Sequence, residues 1–501
     1  MTPALSFAPD TGEWVHVANN DLIQHIAQQT TSDLFYLGTM YRQGDIDMPM
    51  SFYDFSGPRG AQSGGFFGPS GSGKSALATS FTACQLRHLN MAFLLIDPQG
   101  QFITDSKMGT ELPLDLRALA EAQNREVRQL SVAHEVRMPE DAALFTTLLE
   151  ASGFFGANRM IGANQNAENA REIVETWLDK VTQNWSDRES EDLLDEMLEF
   201  LRERVEEGSV AVSEEPRKRL AERITQAIEA NTDNGIAIRE ALLSAWTPIL
   251  SLFGATSLDG DTRRPMKDIV RDLCDPDIGF VGNRKGRPFY ILTLADNRPS
   301  KSDELGKAMR QEKTQMVVMS TLMAALEREG RRIYQNGSKP SNLMVIMDEA
   351  ARFTSSTGSQ EQRQMADQIA KYMRELRKFA IGFMFILQEP SALHDSIWKQ
   401  LQNGFRAFAG GLLGNDLAKV REQVTSQGAV ELYQQLAKPS IDNPVYPWAF
   451  MGSITPLNVT NEPTFIDAYA GRSMKEAARK WEAANQRLSL IHISEPTRRT
   501  P

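Results

Sequence analysis

The sequence predicts an α/β fold with a mostly parallel sheet, and three observations predict it. The stretch Gly68-Pro69-Ser70-Gly71-Ser72-Gly73-Lys74-Ser75 lies between a short apolar strand, GGFF, and a helix, ALATSFTACQLRHL. After position 285, apolar strands alternate with helical segments. Those strands are apolar throughout, as strands covered on both faces must be, rather than alternating with polar residues.

Composition bounds the rest. The chain has 501 residues, 54 Lys+Arg against 65 Asp+Glu, and a net charge of −11. With 41% apolar and 24% charged residues it can bury a sizeable core, which excludes a disordered chain. Cys84 and Cys274 are the only cysteines; they give no disulfide framework and no zinc spacing, and point to a reducing compartment. The longest apolar runs, MAFLLI and FMFIL, fall well short of the roughly 20 residues that span a bilayer. The opening MTPALSFAPDTGEW has neither a basic nor an apolar leader region. No integral membrane segment and a cytoplasmic location are expected.

The elements follow in order. Residues 1 to 60 contain EWVHVA, LFYLGTMYRQ and DMPMSFYDF, separated by polar turns, and are expected to form a small β-rich N-terminal unit. Residues 61 to 450 are expected to be the α/β core. It opens with GGFF, the glycine-rich loop, its helix and the strand MAFLLIDPQGQF, one half of a parallel unit. A helical insertion is expected at about 150 to 260, where Ile173, Val174, Trp177, Leu178, Val181 and Trp185 form one apolar stripe. Leu193, Leu194, Met197, Leu198, Leu201 and Val205 form a second, and Ile238, Leu242, Leu243, Trp246, Ile249 and Leu250 a third. The charge run DRESEDLLDEMLEFLRERVEE is then the solvated face. Strand RPFYILTLAD, helix MVVMSTLMAALEREGRRIY, strand NLMVIMDEA, helix QMADQIAKYMRELRKF and strands IGFMFILQEP and FRAFAGGL complete the core. Residues 451 to 487 are expected to be a C-terminal arm. The final 488 to 501, LSLIHISEPTRRTP, resemble the translation of a transposase adapter used in preparing sequencing libraries, so the native reading frame is expected to leave off near Leu488.

The chemistry-bearing residues cluster at strand ends. Gly68 to Ser75 fit G-x-x-x-x-G-K-[ST] in the strand-loop-helix context that a phosphate-binding loop needs. The glycines let backbone N–H groups surround a phosphate, and the following helix adds its positive end. Lys74 should reach the β and γ phosphates of ATP, and Ser75 should ligate Mg²⁺. Met344 to Met347 lead into Asp348 and Glu349, a buried strand ending in two carboxylates. Asp348 should hold Mg²⁺ through its bound water, and Glu349 should polarise the attacking water. The two strand tips, remote in sequence, are expected to be neighbours in the sheet. Gln388, at the end of FMFIL, can sense the γ phosphate. Arg374 and Arg377 share a helix face and can reach a nucleotide in a neighbouring subunit.

The ordered set GPSGSGKS, IDPQGQF, VIMDEAARF, MRELRKFAIG and FILQEP resembles the HerA branch of the HerA and FtsK superfamily over roughly residues 60 to 415. The resemblance implies a RecA-like P-loop ATPase, typically a homohexameric ring that moves double-stranded DNA, with a small β-barrel before the loop and a helical insertion. It assigns Lys74 and Ser75 to phosphate and Mg²⁺, Asp348 and Glu349 to Mg²⁺ and water activation, Gln388 to sensing and Arg377 to a role in trans. The chain departs from the family at Gln101, where Glu is usual, and at Leu376, where Gly is usual. The segment before 60 is short for a full barrel. No nuclease constellation is recognisable, so a partner nuclease or defence effector would be a separate chain.

A ring needs only a local basic lining, and the candidates are Arg284, Lys285 and Arg287 before one strand and Lys301, Lys307, Arg310 and Lys313 after it. Three functions remain open: a DNA-translocating or unwinding motor in end processing or phage defence, an ATP-dependent regulatory scaffold for an effector, and a conjugation or secretion ATPase.

Overall fold

The computed structural model describes residues 19 to 485 apart from 32, 99–113, 160–164, 182–183, 211–212, 279–285, 295–302, 338, 357, 425, 437, 439–444, 458–461 and 470–477. EWVHVA, Gln101 and the segment from 488 onward lie outside the described residues. In chain order the strands are β1 (Phe35–Met40), β2 (Gln43–Met50), β3 (Gly64–Phe67), β4 (Ala92–Asp97), β5 (Arg125–Ser131), β6 (Val136–Arg137), β7 (Arg264–Pro265), β8 (Gly286–Thr293), β9 (Leu343–Met347), β10 (Ile381–Leu387), β11 (Phe405–Ala409), β12 (Pro447–Gly452) and β13 (Thr464–Ala468). β6 and β7 form a separate two-stranded sheet, and the rest make one eleven-stranded sheet in the order β2-β1-β13-β12-β11-β3-β10-β9-β4-β8-β5.

From β5 to β11 every pairing in this sheet is parallel. β3, β4, β8, β9, β10 and β11 are buried at every position, which accounts for their unbroken apolar reading. Alternate side chains serve two cores. Phe93, Leu95, Met344, Ile346, Met384 and Ile386 point to the face that holds the helix Lys74–Gln85. Leu94, Ile96, Val345, Met347, Phe383 and Phe385 point to the other, which carries the helical insertion. The first core is aromatic: Phe81 meets Phe52 edge-on at 5.2 Å and Phe35 at 5.8 Å between ring centroids.

The insertion forms as its periodicity predicts, with helices Gln165–Leu178, Ser190–Glu206, Glu214–Glu229 and Asp233–Ser251. All six residues of the second stripe, Leu193 to Val205, are fully buried, each such burial contributing about 2 kcal/mol. Helix Gln360–Arg377 starts at a capping box in which Ser359 and Gln362 satisfy each other's backbone N–H groups.

Two expectations are corrected. Residues 20 to 30 are a helix, Asn20–Thr30, where only β character was anticipated. Asn19 caps it by accepting from the Leu22 amide at 3.0 Å, and Ile23 and Ala27, four apart, bury its inner face. Second, β1 and β2 do not form a unit of their own but extend the main sheet, because β13 from the C-terminal arm lies between β1 and β12. This extension is antiparallel throughout.

Candidate nucleotide site

β3 ends at Phe67, and the Gly68 amide donates to the Leu387 carbonyl at the end of β10, 3.2 Å away. A Cβ at Gly68 would stand 2.4 Å from Ala409 Cβ and 2.7 Å from Ser72 Oγ, so only glycine fits. The chain then turns through Gly71 and Gly73 at φ +79° and +81°, left-handed conformations costly for other residues. The Ser72 amide closes the turn on the Pro69 carbonyl at 3.2 Å, and the helix begins at Lys74. Pro69 and Ser75 are half-buried and Ser70 is exposed. The Lys74 ammonium folds back over the loop and donates to the Pro69 carbonyl at 3.0 Å. Burial pushes it down to about 8; Asp348 opposes that shift, Lys438 adds to it, and Glu349 opposes it.

β9 delivers the two carboxylates differently. The Asp348 amide continues the ladder to the Ile96 carbonyl of β4 at 3.1 Å, whereas the Ala350 amide donates to Ile386 of β10 at 3.2 Å. Glu349 sits between these two ladders at φ +44°, a left-handed conformation that turns the chain from one to the other. Asp348 is 3% exposed, and its Oδ2 has no hydrogen-bond partner. Burial pushes its carboxyl up to about 7, aided by the negative charge of Asp97 at the end of β4. Glu349 is paired with Arg352, whose Nε donates to Oε2 at 3.0 Å.

β10 lies between β3 and β9, and Gln388, just past its last residue, is exposed at the same edge. The loop strand and the acidic strand are therefore not adjacent, as expected from sequence, but one strand apart. The intervening strand places Gln388 between the phosphate loop and the carboxylates. This is a RecA-like P-loop fold.

No family model and no curated protein matches the chain. Among solved structures, it is similar to VirB4 of Thermoanaerobacter pseudethanolicus at 12% identity, with a TM-score of 0.44, over 88% of this chain and 98% of that one. It is similar to the bacterial conjugative coupling protein TrwBdeltaN70 in its trigonal form with sulphate, at 13% identity and TM-score 0.41, over 92% and 99%. A third is the genome packaging NTPase B204 from Sulfolobus turreted icosahedral virus 2 in complex with ATP-gammaS, at 11% identity and TM-score 0.23, over 40% and 71%.

Within the P-loop fold, Arg374 and Arg377 stand apart from the loop. They end helix Gln360–Arg377, which runs into the start of β10, and the Leu343 amide opening β9 donates to Ala380 there at 3.0 Å. Both are exposed at the end of the sheet opposite the glycine-rich loop of their own chain. Neither guanidinium has a partner among the described residues.

Of the basic candidates, Arg287 is corrected: it is 1% exposed and donates to the carbonyls of Ser341 and Leu273. It ties β8 to the segment leading into β9 and to the helix Met266–Cys274, and is no part of an exposed basic surface. Lys307, Arg310 and Lys313 are exposed, while Arg284, Lys285 and Lys301 lie outside the described residues.

Sequence reasoning missed four residues at this edge: Asp97, Arg352, Lys438 and Tyr446. The first closes an apolar strand just as Asp348 does, a signal that was present. Nothing in the sequence marks the other three. Among the described residues, no cluster of three or more His, Cys, Asp or Glu can hold a metal ion unaided. Mg²⁺ keeps waters and takes one or two protein oxygens beside phosphates. The orphaned Asp348 oxygen and the Ser75 hydroxyl fit that role. Among the described residues, no helix is long and apolar enough to cross a membrane.

Proposed function

We propose that the chain is a HerA-like motor that hydrolyses ATP with Mg²⁺ and uses it to translocate or unwind double-stranded DNA. It works as a homohexameric ring with a partner nuclease or defence effector. The observation that carries the hydrolytic part is the meeting of Lys74, buried Asp348 with its orphaned oxygen, Glu349 and Gln388 at one sheet edge. Lys74 and the loop amides hold the phosphates, Ser75 and Asp348 hold the cation, and Mg²⁺ supplies charge neutralisation when bound. Glu349 polarises water, and Gln388 reports the terminal phosphate. The DNA part rests on the ordered motif set alone. Ring assembly is supported by Arg374 and Arg377, which have a use at a nucleotide only if it belongs to another subunit.

The test is ATP turnover with and without duplex DNA, for the parent and for Lys74→Ala. Turnover that requires Lys74 and rises with duplex supports the motor. Turnover that requires Lys74 but ignores duplex leaves the ATPase and overturns the DNA motor in favour of the effector scaffold.

A further inference from the structure

The reading above accounts for the triphosphate end of the nucleotide and leaves its base without a seat. The sheet order restricts where the base can go. Asp348 and Gln388 lie to one side of β3, so the terminal phosphate faces that side. The other end of the nucleotide must leave across β11 and β12. β12 is antiparallel to β11, with Ala409 opposite Trp448, so the start of β12 is at the same edge as the phosphate loop. It stands two strand spacings from β3, about 10 Å.

Tyr446 occupies that place. A Cβ built on Gly73 would stand 2.9 Å from Tyr446 Cδ1 and 3.4 Å from Cε1, so the ring lies directly against the loop's last glycine. The absence of a side chain at Gly73 thus serves the ring as well as the turn. Its backbone is fixed on two sides: the Ala468 amide donates to the Tyr446 carbonyl at 2.9 Å, and the Gly410 amide donates to that of Pro447 at 3.0 Å. The ring is only half-buried, which leaves aromatic surface open beside the loop. Lys438 is brought to the same side, its Cβ lying 2.9 Å from where Gly411 would carry one.

We infer that Tyr446 is the stacking platform for the nucleotide base, placed against Gly73 so that base and phosphates are gripped from one rigid edge. Stacking on an aromatic face is tolerant of base identity, because every base offers a π face. The site therefore discriminates little between bases. The assignment rests on the phosphate-loop reading.

The experiment measures binding of ATP, ADP and inorganic tripolyphosphate, each with Mg²⁺, by calorimetry. Tyr446→Ala should weaken ATP and ADP by about 10- to 100-fold, the range of one lost stack, and leave tripolyphosphate within twofold. Tyr446→Phe and Tyr446→Trp should stay within about threefold of the parent for all three. If Tyr446→Ala weakens tripolyphosphate as much as ATP, the ring merely props the loop, and the assignment is overturned. Unchanged ATP affinity overturns it equally. Lys74→Ala is the separate control. It should lose all three ligands, and its failure to do so would overturn the phosphate-loop reading itself.

Discussion

Arg352 holds Glu349: its Nε donates to Oε2 at 3.0 Å, from one turn further along the chain. The carboxylate assigned to water is thus engaged by a cation while its backbone sits at φ +44°. Neither partner is deeply buried, so the pair itself adds little to stability, and its consequence is positional.

Glu349→Gln should bind ATP within about twofold of the parent and lose turnover by about 10²- to 10⁴-fold, since the cradle is untouched and the base is removed. Equilibrium binding and steady-state phosphate release check the two halves. Near-parental turnover would remove Glu349 from the chemistry.

The pH dependence of Mg²⁺–ATP binding follows from two opposed shifts. Asp348 is pushed up to about 7, so below that pH it is protonated and cannot face the cation. Lys74 is pushed down to about 8, so above that pH its charge is lost. Affinity should be highest between about 7 and 8 and fall on both sides, at most about tenfold per pH unit. Titrations from acid to alkaline pH read this directly, and a flat profile would contradict both shifts.

Asp348→Asn should stabilise the nucleotide-free protein while abolishing turnover. The folded carboxyl titrates above its unfolded value, so the folded state binds more protons between the two, and stability falls as pH rises towards about 7. The variant escapes that loss. Its melting temperature should exceed the parent's by a small margin at acid pH and by a larger one at neutral pH and above. An advantage that shrinks as pH rises would refute the burial argument.

Arg377→Ala should leave nucleotide binding and assembly intact and reduce hydrolysis by about 10³-fold. Because the residue is remote from its own loop, mixing this variant with Lys74→Ala should recover activity: some mixed sites combine an intact loop with an intact arginine. No recovery in a mixture shown to co-assemble would count against a role in trans.

Much of this edge is legible in the sequence because buried parallel strands admit little besides apolar residues. Glycine spacing marks the tight loop between β3 and helix Lys74–Gln85, and the run Met344 to Met347 with its acidic end marks β9. The helical stripes, such as Leu193 to Val205, are visible from periodicity alone. β5 is not legible, since REVRQLS lies at the sheet's edge and is only partly buried. Arg287 reads as a surface charge, and only the structure reveals the carbonyls that accept from it. Asp97 could have been found from the apolar strand it closes, whereas Arg352, Lys438 and Tyr446 gain meaning from tertiary neighbours that no local pattern encodes. The place of β13 between β1 and β12 is equally invisible, because pairing between remote segments leaves no periodic trace.

That interleaving sets an order of events during synthesis. Tyr36 and Asn485 exchange hydrogen bonds at 3.1 and 3.0 Å although 449 positions separate them. On the ribosome, the hairpin of β1 and β2 can pack its inner face on helix Lys74–Gln85 but has no neighbour in the sheet until β13 is made. That ribbon therefore joins the sheet only after β13, and a nascent chain halted before β13 would present an unpaired strand edge to chaperones.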